Sequence, residues 1–495
     1  MAKTDLKRKT VNGFFWGLLE SFFSQGQGFI FGIVLARLLS PQEFGLIGMI
    51  TIFISIAQVF VDSGLSQALI RKQDCTSTDY STVFWANVSI GVIAYILIWL
   101  FAPFIASFYA KPELIQLTRV TALAIIIGSL TLIQQTIIIK EVDFKTNTKI
   151  STIGTFVSGI ISIGMAFYGF GVWSLVWRTI INQMVRSLLL WKHNKWLPDK
   201  KYSISSFKEL FRFGSNILFI SIIAAIFKNF YNLIIGKNYS DKMLGYYTNA
   251  DQYSAIPSTT LTTITNKVSY PILATIQDDN EKLKLSSRKL IQTIMYGSFF
   301  IMFGLAAFAH PLFSILFGAK WLPSVKFFQA LCIAYSITPM HTVNQNIMKI
   351  KGRSDLFLIT EIIKYVVFVP FIILGIIYGL FILILGIVVF YWISFYINAM
   401  YSRKLIHYST FEQTIDIMPV MLVSLIPGIL VYMLDFWLKI GNIPLIIIQS
   451  IAYLAMVLGL SIIFKLPAYI EIKQIFINKL TLSGFINILK NNHNE

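Results

Sequence analysis

Charge, cysteine and histidine are what this chain has least of. Charged residues fill 13% of 495 positions and hydrophobic ones 56%, which excludes a soluble globular protein, where charge takes roughly 25%. The two cysteines, Cys75 and Cys332, fall in an expected loop and an expected helix, so neither a disulfide nor a cysteine metal site is expected. His193, His310, His341, His407 and His493 are scattered and make no metal cluster. No glycine-rich phosphate loop is present, which excludes an ATP site. The period-2 alternation of a membrane barrel is missing as well. The longest connections, around 192–212 and 268–290, run to roughly 20 residues and leave no room for a soluble domain. No small-x-small cleavage site follows the first apolar run, which is therefore expected to be retained.

What the chain does have is apolar runs. Stretches of roughly 18 to 24 residues recur, enough to cross a hydrocarbon core of about 30 Å as helix. In lipid the backbone must satisfy itself, so these spans are helices. They are expected at 12–35, 44–62, 82–102, 117–139, 150–168, 172–191, 213–235, 244–265, 291–309, 327–348, 358–378, 380–401, 417–436 and 443–464. The expected fold class is an all-α polytopic membrane protein with about 14 transmembrane helices. They group as an N-terminal six-helix lobe (1–200), a C-terminal six-helix lobe (201–405) and two additional helices (406–466). The tail, 467–495, interleaves Ile472, Ile475, Phe476, Leu480 and Phe485 with Lys473, Lys479 and Lys490, as a helix lying on the cytoplasmic membrane surface would.

The grouping rests on a repeat. Leu39-Ser40-Pro41-Gln42-Glu43-Phe44-Gly45-Leu46 is echoed by Tyr239-Ser240-Asp241-Lys242-Met243-Leu244-Gly245-Tyr246. Ala102-Pro103 is matched by His310-Pro311, and Tyr168-Gly169-Phe170 by Tyr378-Gly379-Leu380, in order and at nearly constant offset. The eighth span, with Tyr246, Asn249, Asp251, Gln252 and Pro257, is too polar for a hydropathy window, and it is assigned because the repeat requires it opposite the second. Duplicated helical bundles are how many secondary transporters are built, with the substrate at the interface between halves. Pro257, Pro271 and Pro339 are expected to break or bend the eighth and tenth spans.

The net charge of +18 is mostly a topology signal. With the N-terminus in the cytoplasm, roughly 28 Lys and Arg fall on inner segments, against about 7 outside, the positive-inside asymmetry. The inner set includes Arg71/Lys72, Lys140/Lys145/Lys149, Lys282/Lys284/Arg288/Lys289 and Arg403/Lys404. Both termini are then cytoplasmic, and nucleic acid needs no place.

Ionisable and amide groups inside spans are costly without a partner or water, so they are the informative ones. Arg178, Asn182 and Arg186 share one face of the sixth span, a face suited to an anion because guanidinium forks match phosphate oxygens. Arg186 also stands where it can snorkel to the inner surface. Lys228 and Asn232 share a face of the seventh span, with cavity lining and pairing with Glu20 as the two readings. Gln252 is a polar candidate on the eighth. Glu20, about 12 Å into the first span at 1.5 Å per residue, is the ion-coupling candidate for protons or sodium, against a helix–helix hydrogen bond or salt bridge. Asp62 and Lys267, at the inner ends of the second and eighth spans, are gate candidates, with Asp62 as a cap the plainer reading. Glu361 and Lys364 are spaced to pair with each other.

Several strings then resemble one family. They include Asp62-Ser63-Gly64-Leu65, Phe84-Trp85-Ala86-Asn87, Gly169-Phe170-Gly171-Val172-Trp173, Arg212-Phe213-Gly214, Tyr270-Pro271-Ile272-Leu273-Ala274, Phe317-Gly318-Ala319-Lys320-Trp321 and Lys351-Gly352-Arg353. Together they resemble the Wzx-type polysaccharide flippases, in the colanic and teichuronic acid exporter branch of the multidrug/oligosaccharidyl-lipid/polysaccharide exporter superfamily. The resemblance covers essentially the whole chain and is weaker in the last two spans and tail. It implies two six-helix lobes, a cavity opening alternately to each side, and a lipid-linked oligosaccharide as cargo in the bacterial inner membrane. It also implies no enzymatic activity and no cofactor, with membrane lipids, a polysaccharide polymerase and chain-length machinery as partners. The cargo expected is a polyprenyl pyrophosphate carrying an oligosaccharide repeat unit. A drug or organic-cation antiporter of the same superfamily is the nearest alternative, and a membrane glycosyltransferase or polymerase a more distant one. Basic residues outnumber acids within the spans, which favours the anionic cargo, and the short outer loops disfavour the enzyme.

Overall fold

A computed structural model describes residue 23 and residues 25–480. Glu20 and the tail beyond Leu480 lie outside the described residues. Those described form helices and connections, with no strand among them. Two compact units divide the chain, one through Asn249 and the other from Ala250.

The first unit contains α1 (residues 25–38), α2 (Pro41–Asp62), α3 (Leu65–Arg71), α4 (Ser77–Tyr109), α5 (Leu114–Thr121), α6 (Leu123–Lys140), α7 (Phe144–Phe167), α8 (Trp173–Asn194), α9 (Ile204–Asn238) and the start of α10 (Asp241–Ala274). The second contains the rest of α10, then α11 (Asn280–Ala307), α12 (Ala309–Leu316), α13 (Ser324–Tyr335), α14 (Thr338–Ile350), α15 (Ser354–Tyr378), α16 (Leu380–Ile406), α17 (Thr410–Trp437), α18 (Asn442–Ile463) and α19 (Pro467–Leu480). Within the first unit α2 lies against α4 and α9, and α8 against α6 and α7. Within the second, α16 lies against α13, α14 and α15, while α17 packs on α11 and α18 on α17. The two additional helices are thus integral to the second unit's core, where Phe299, Phe303, Phe395, Tyr408 and Tyr453 cluster.

The expected spans fall mainly on helix, the first in its described part, though 117–139 divides into α5 and α6 and 291–309 runs from α11 into α12. Ten helices among the described residues are long and apolar enough to cross a membrane. α8 and α10 are not among the ten, because their polar residues dilute the apolar run. Several helices outrun their apolar stretch because local chemistry fixes the ends. Thr76 and Asp79 close a reciprocal cap at the start of α4, and Ser409 and Glu412 do so at the start of α17, each pair satisfying backbone donors the helix leaves open.

The prolines behave in two ways. The tenth span divides into α13 and α14, with Pro339 in the first turn of α14. Of the break or bend expected at Pro257 and Pro271, the break does not occur, and α10 runs unbroken through both. Around Pro257 the hydroxyls of Ser254, Thr259 and Thr260 donate to the carbonyls of Asp251, Ala255 and Ile256 at 3.1, 2.8 and 2.9 Å, and none of these is the Tyr253 carbonyl that loses its usual donor to the proline.

The repeat marks equivalent places. Both eight-residue copies lie at the start of a helix, α2 and α10. Gly169 and Gly379, with φ of 84° and 104°, both open the connection to the next helix. The repeated glycines meet reciprocally: a Cβ on Gly45 would overlap the backbone of Asp241, and one on Gly245 would overlap that of Pro41. Beside this crossing, Lys111 and Asp241 form an ion pair at 2.5 Å.

Candidate functional site

The polar heart of the first unit is built from the C-terminal end of α2. There the chain turns through Ser63 and Gly64, both at positive φ (50° and 66°), a conformation glycine adopts freely. Gly64 lies flush on Gly214 of α9, and neither position has room for a Cβ. The strings Asp62-Ser63-Gly64 and Arg212-Phe213-Gly214 therefore describe one contact, reinforced by the Arg71 guanidinium 4.4 Å from the centre of the Phe213 ring.

Above this contact is a cavity of about 330 Å³. Its polar lining comes from four helices: Gln58 and Asp62 on α2, Thr131 and Gln135 on α6, Gln183 and Arg186 on α8, and Ser221 on α9. Gly128 makes the space. The side-chain amides of Gln183 and Gln58 lie 3.0 and 3.1 Å from where a Cβ of residue 128 would stand. Asp62 Oδ1 is buried with no hydrogen-bond partner among the described residues. One guanidinium, one carboxylate, three amides and two hydroxyls offer donors and acceptors in the mixture a phosphorylated or hydroxyl-rich ligand requires.

A second polar cluster stands at the C-terminal end of α3. Lys72 pairs with Asp79 at 3.2 Å and with Glu209 at 3.1 Å, and the Ser206 hydroxyl donates to Asp79. Burial by itself lowers the Lys72 ammonium, but the hydrogen bonds to Glu209 and Asp79 outweigh it and hold the group above the ordinary lysine value. Lys140 donates to the carbonyls of Leu69 and Lys72 at 3.1 and 2.6 Å and lies 2.9 Å from Cys75 Sγ.

Of the residues expected from sequence, Arg186 and Asp62 share this cavity. Arg178, half-buried on α8, and Asn182 do not line it. Asn182 donates to Ser158 of α7 at 3.4 Å, and the Arg186 stem crosses Gly154 of the same helix. Lys228 is exposed on α9 and Asn232 half-buried one turn on, neither of them on the cavity wall. Gln252 and Lys267 belong to the part of α10 in the second unit, exposed and half-buried respectively. Gln58, Gln135 and Gln183 were not anticipated. Their signal was an uncharged amide inside an apolar span, weaker than the charges that drew attention.

Several polar groups of the second unit are joined to one another. Lys364 and Glu361 pair as their spacing predicts, and Gln345 donates to Glu361 at 3.1 Å. Asn344, fully buried, donates to Gln413 at 3.0 Å and accepts from Ser402 at 2.6 Å. Asn346 donates to Asn266 and Ser269 at 3.1 and 2.9 Å. Among the described residues no group of three or more His, Cys, Asp or Glu is placed to hold a metal ion.

Residues 34–326 match the family described as polysaccharide biosynthesis protein. The lipopolysaccharide biosynthesis protein WzxC of Escherichia coli K12 is 24% identical over 372 residues, 75% of this chain and 76% of that protein. The teichuronic acid biosynthesis protein TuaB of Bacillus subtilis is 27% identical over 303 residues, 61% and 62% of the two chains. The succinoglycan biosynthesis transport protein ExoT of Rhizobium meliloti is 26% identical over 310 residues, 62% of each. Among solved structures, the lipid II flippase MurJ in an inward closed conformation superposes with a TM-score of 0.73 at 17% identity, over 90% of this chain and 98% of that one. An inward-facing MATE-family multidrug transporter gives 0.59 at 18% identity, over 78% and 94%. Both likenesses are of fold.

Proposed function

We propose that this chain, which belongs to the polysaccharide biosynthesis protein family, is a flippase. Its cargo is a polyprenyl-pyrophosphate-linked oligosaccharide, carried from the cytoplasmic to the outer leaflet of the bacterial inner membrane. The observation that carries the reading is the cavity in the first unit, where a guanidinium, amides and hydroxyls are assembled inside a bundle whose outside is apolar. The names of the family and its relatives support polysaccharide assembly as the process served. An organic cation would call for carboxylates as the dominant charge. Here Arg186 balances Asp62, and the amides suit sugar hydroxyls.

In this mechanism Arg186 receives the pyrophosphate and Gln58, Gln135, Gln183, Thr131 and Ser221 contact sugar, while the polyprenyl tail stays in lipid. Arg178 and Lys228 add positive potential along the path, and Asn182, Asn232 and Gln252 supply further polar contacts. Asp62 and Lys267 act as gate residues, and Glu20 couples the return of the empty carrier to protons or sodium. Moving two negative charges outward from an inside-negative cell releases about 4–5 kcal/mol per 100 mV when the full field is crossed, so net export needs no nucleotide.

The test is the sidedness of lipid-linked oligosaccharide after the protein is depleted. Accumulation on the cytoplasmic leaflet, reversed by the wild-type chain, is expected. Normal arrival at the outer leaflet in depleted cells, with efflux of cationic compounds lost instead, would replace this reading with drug export.

A further inference from the structure

The connection between α16 and α17, in the second unit, holds positive charge that nothing around it neutralises. Arg403, Lys404 and His407 line a cavity of about 600 Å³ together with Ser409 and Thr410, with Met400 and Phe411 at its sides. The connection is only three residues long, His407 to Ser409, and it is held firmly. His407 takes a left-handed conformation (φ 54°) with its N–H donating to the Arg403 carbonyl at 3.1 Å. Tyr408 is fully buried, its hydroxyl donating to Asp416 at 2.7 Å. Ser409 and Glu412 cap α17 reciprocally. The basic side chains therefore leave a rigid base.

The neighbouring acids are already committed. Glu412 accepts from Lys284 at 2.9 Å and from the Ser409 N–H at 2.7 Å. Asp416 accepts from Arg288 Nε at 2.9 Å as well as from Tyr408. Arg403 and Lys404 are exposed and make no ion pair among the described residues. A guanidinium, an ammonium, an imidazole and the Thr410 hydroxyl around one space are the partners a phosphodiester requires. The flanks say where that phosphate comes from. Met400 and Phe411 are 59% and 74% exposed beside the charges, an apolar rim that a free anion has no use for and an acyl chain does.

We propose that this cavity is a binding site for an anionic glycerophospholipid of the cytoplasmic leaflet. Arg403 and Lys404 hold the phosphate, and Met400 and Phe411 lie along the acyl chains. Such a lipid would brace the junction of α16 with α17 from outside, separate from the cavity in the first unit.

The experiment is native mass spectrometry of the full chain released from nanodiscs containing phosphatidylglycerol and phosphatidylcholine. The wild type is expected to retain phosphatidylglycerol over phosphatidylcholine. Arg403→Gln/Lys404→Gln is expected to lose about 30-fold of that affinity, since each basic residue at an anionic surface contributes ~1 kcal/mol. Arg403→Lys/Lys404→Arg, which keeps charge and fold, is expected to retain it. Equal phosphatidylglycerol retention by wild type and the double Gln variant overturns the proposal. Displacement of the lipid by inorganic phosphate at matched concentration also overturns it, by assigning the site to a free anion. Tighter retention of polyprenyl pyrophosphate through the same two residues overturns it too, by making the site part of the cargo path. The readout is lipid retention, so it stands apart from whether export itself is confirmed.

Discussion

Two sets of polar residues, one in each unit, are used differently. In the second, Asn344, Asn346, Glu361 and Lys364 are joined to Gln413, Ser402, Asn266, Ser269 and Gln345, so polarity there ties helices together. In the first, Gln58, Gln135, Gln183, Arg186 and Asp62 face a shared space. One cause is steric and local: residue 128 is a glycine, and the hole it leaves is ringed by amides on α2 and α8. A polar residue in a span is therefore not by itself a sign of a ligand. What distinguishes the two cases is whether the neighbours close on it.

Four substitutions break or sharpen that contrast. The largest effect is expected from Glu361→Ala, which leaves Lys364 buried without its charge partner and costs about 3 kcal/mol. A thermal unfolding midpoint in detergent reads it, and Glu361→Ala/Lys364→Met should recover most of the loss. Asn344→Ala removes the bonds to both Gln413 and Ser402 and should cost about 2 kcal/mol by the same measurement. Arg186→Gln moves the effect from stability to activity. Export should fall about tenfold, equivalent to ~1.4 kcal/mol, with the melting midpoint unchanged. A drop in the midpoint with export intact would make Arg186 a packing residue on Gly154. The smallest stability effect is expected for Asp62→Asn, at most about 0.5 kcal/mol, because Oδ1 has no bond among the described residues to lose. A loss several times larger would show that the carboxylate is paired after all.

Much of the fold was legible because bilayer thickness sets a length that apolar runs must meet. α10 was the exception, found through its repeat partner α2 and not through its own hydropathy. The failures have separate causes. Proline accompanies a division of the helix at residue 339 and none at 257 or 271, so a proline in a span does not by itself say where the helix divides. Charge drew attention to Arg186 and Asp62, which share the cavity, and equally to Lys228, which is exposed off its wall. The three glutamines carried no charge to mark them, and what makes them a group is the missing side chain of Gly128, a feature of three-dimensional proximity. The Glu361–Lys364 pair was legible because helical spacing alone brings the two together.

The crossing at Gly45 and Gly245 has a bearing on ancestry. Residue 45 meets 241 and residue 245 meets 41, so each copy of the eight-residue segment is both knob and socket. That is an isologous contact, the kind a twofold axis makes between identical chains. A half-length protein carrying one such segment could make the contact with a second copy of itself, and one mutation would then strike both sides at once. In a single chain the two sides can change separately, yet at this crossing neither glycine has room for a Cβ. The flanking residues, Pro-Gln-Glu-Phe in one copy and Asp-Lys-Met-Leu in the other, have diverged, while each glycine stays bound by the backbone of the other copy.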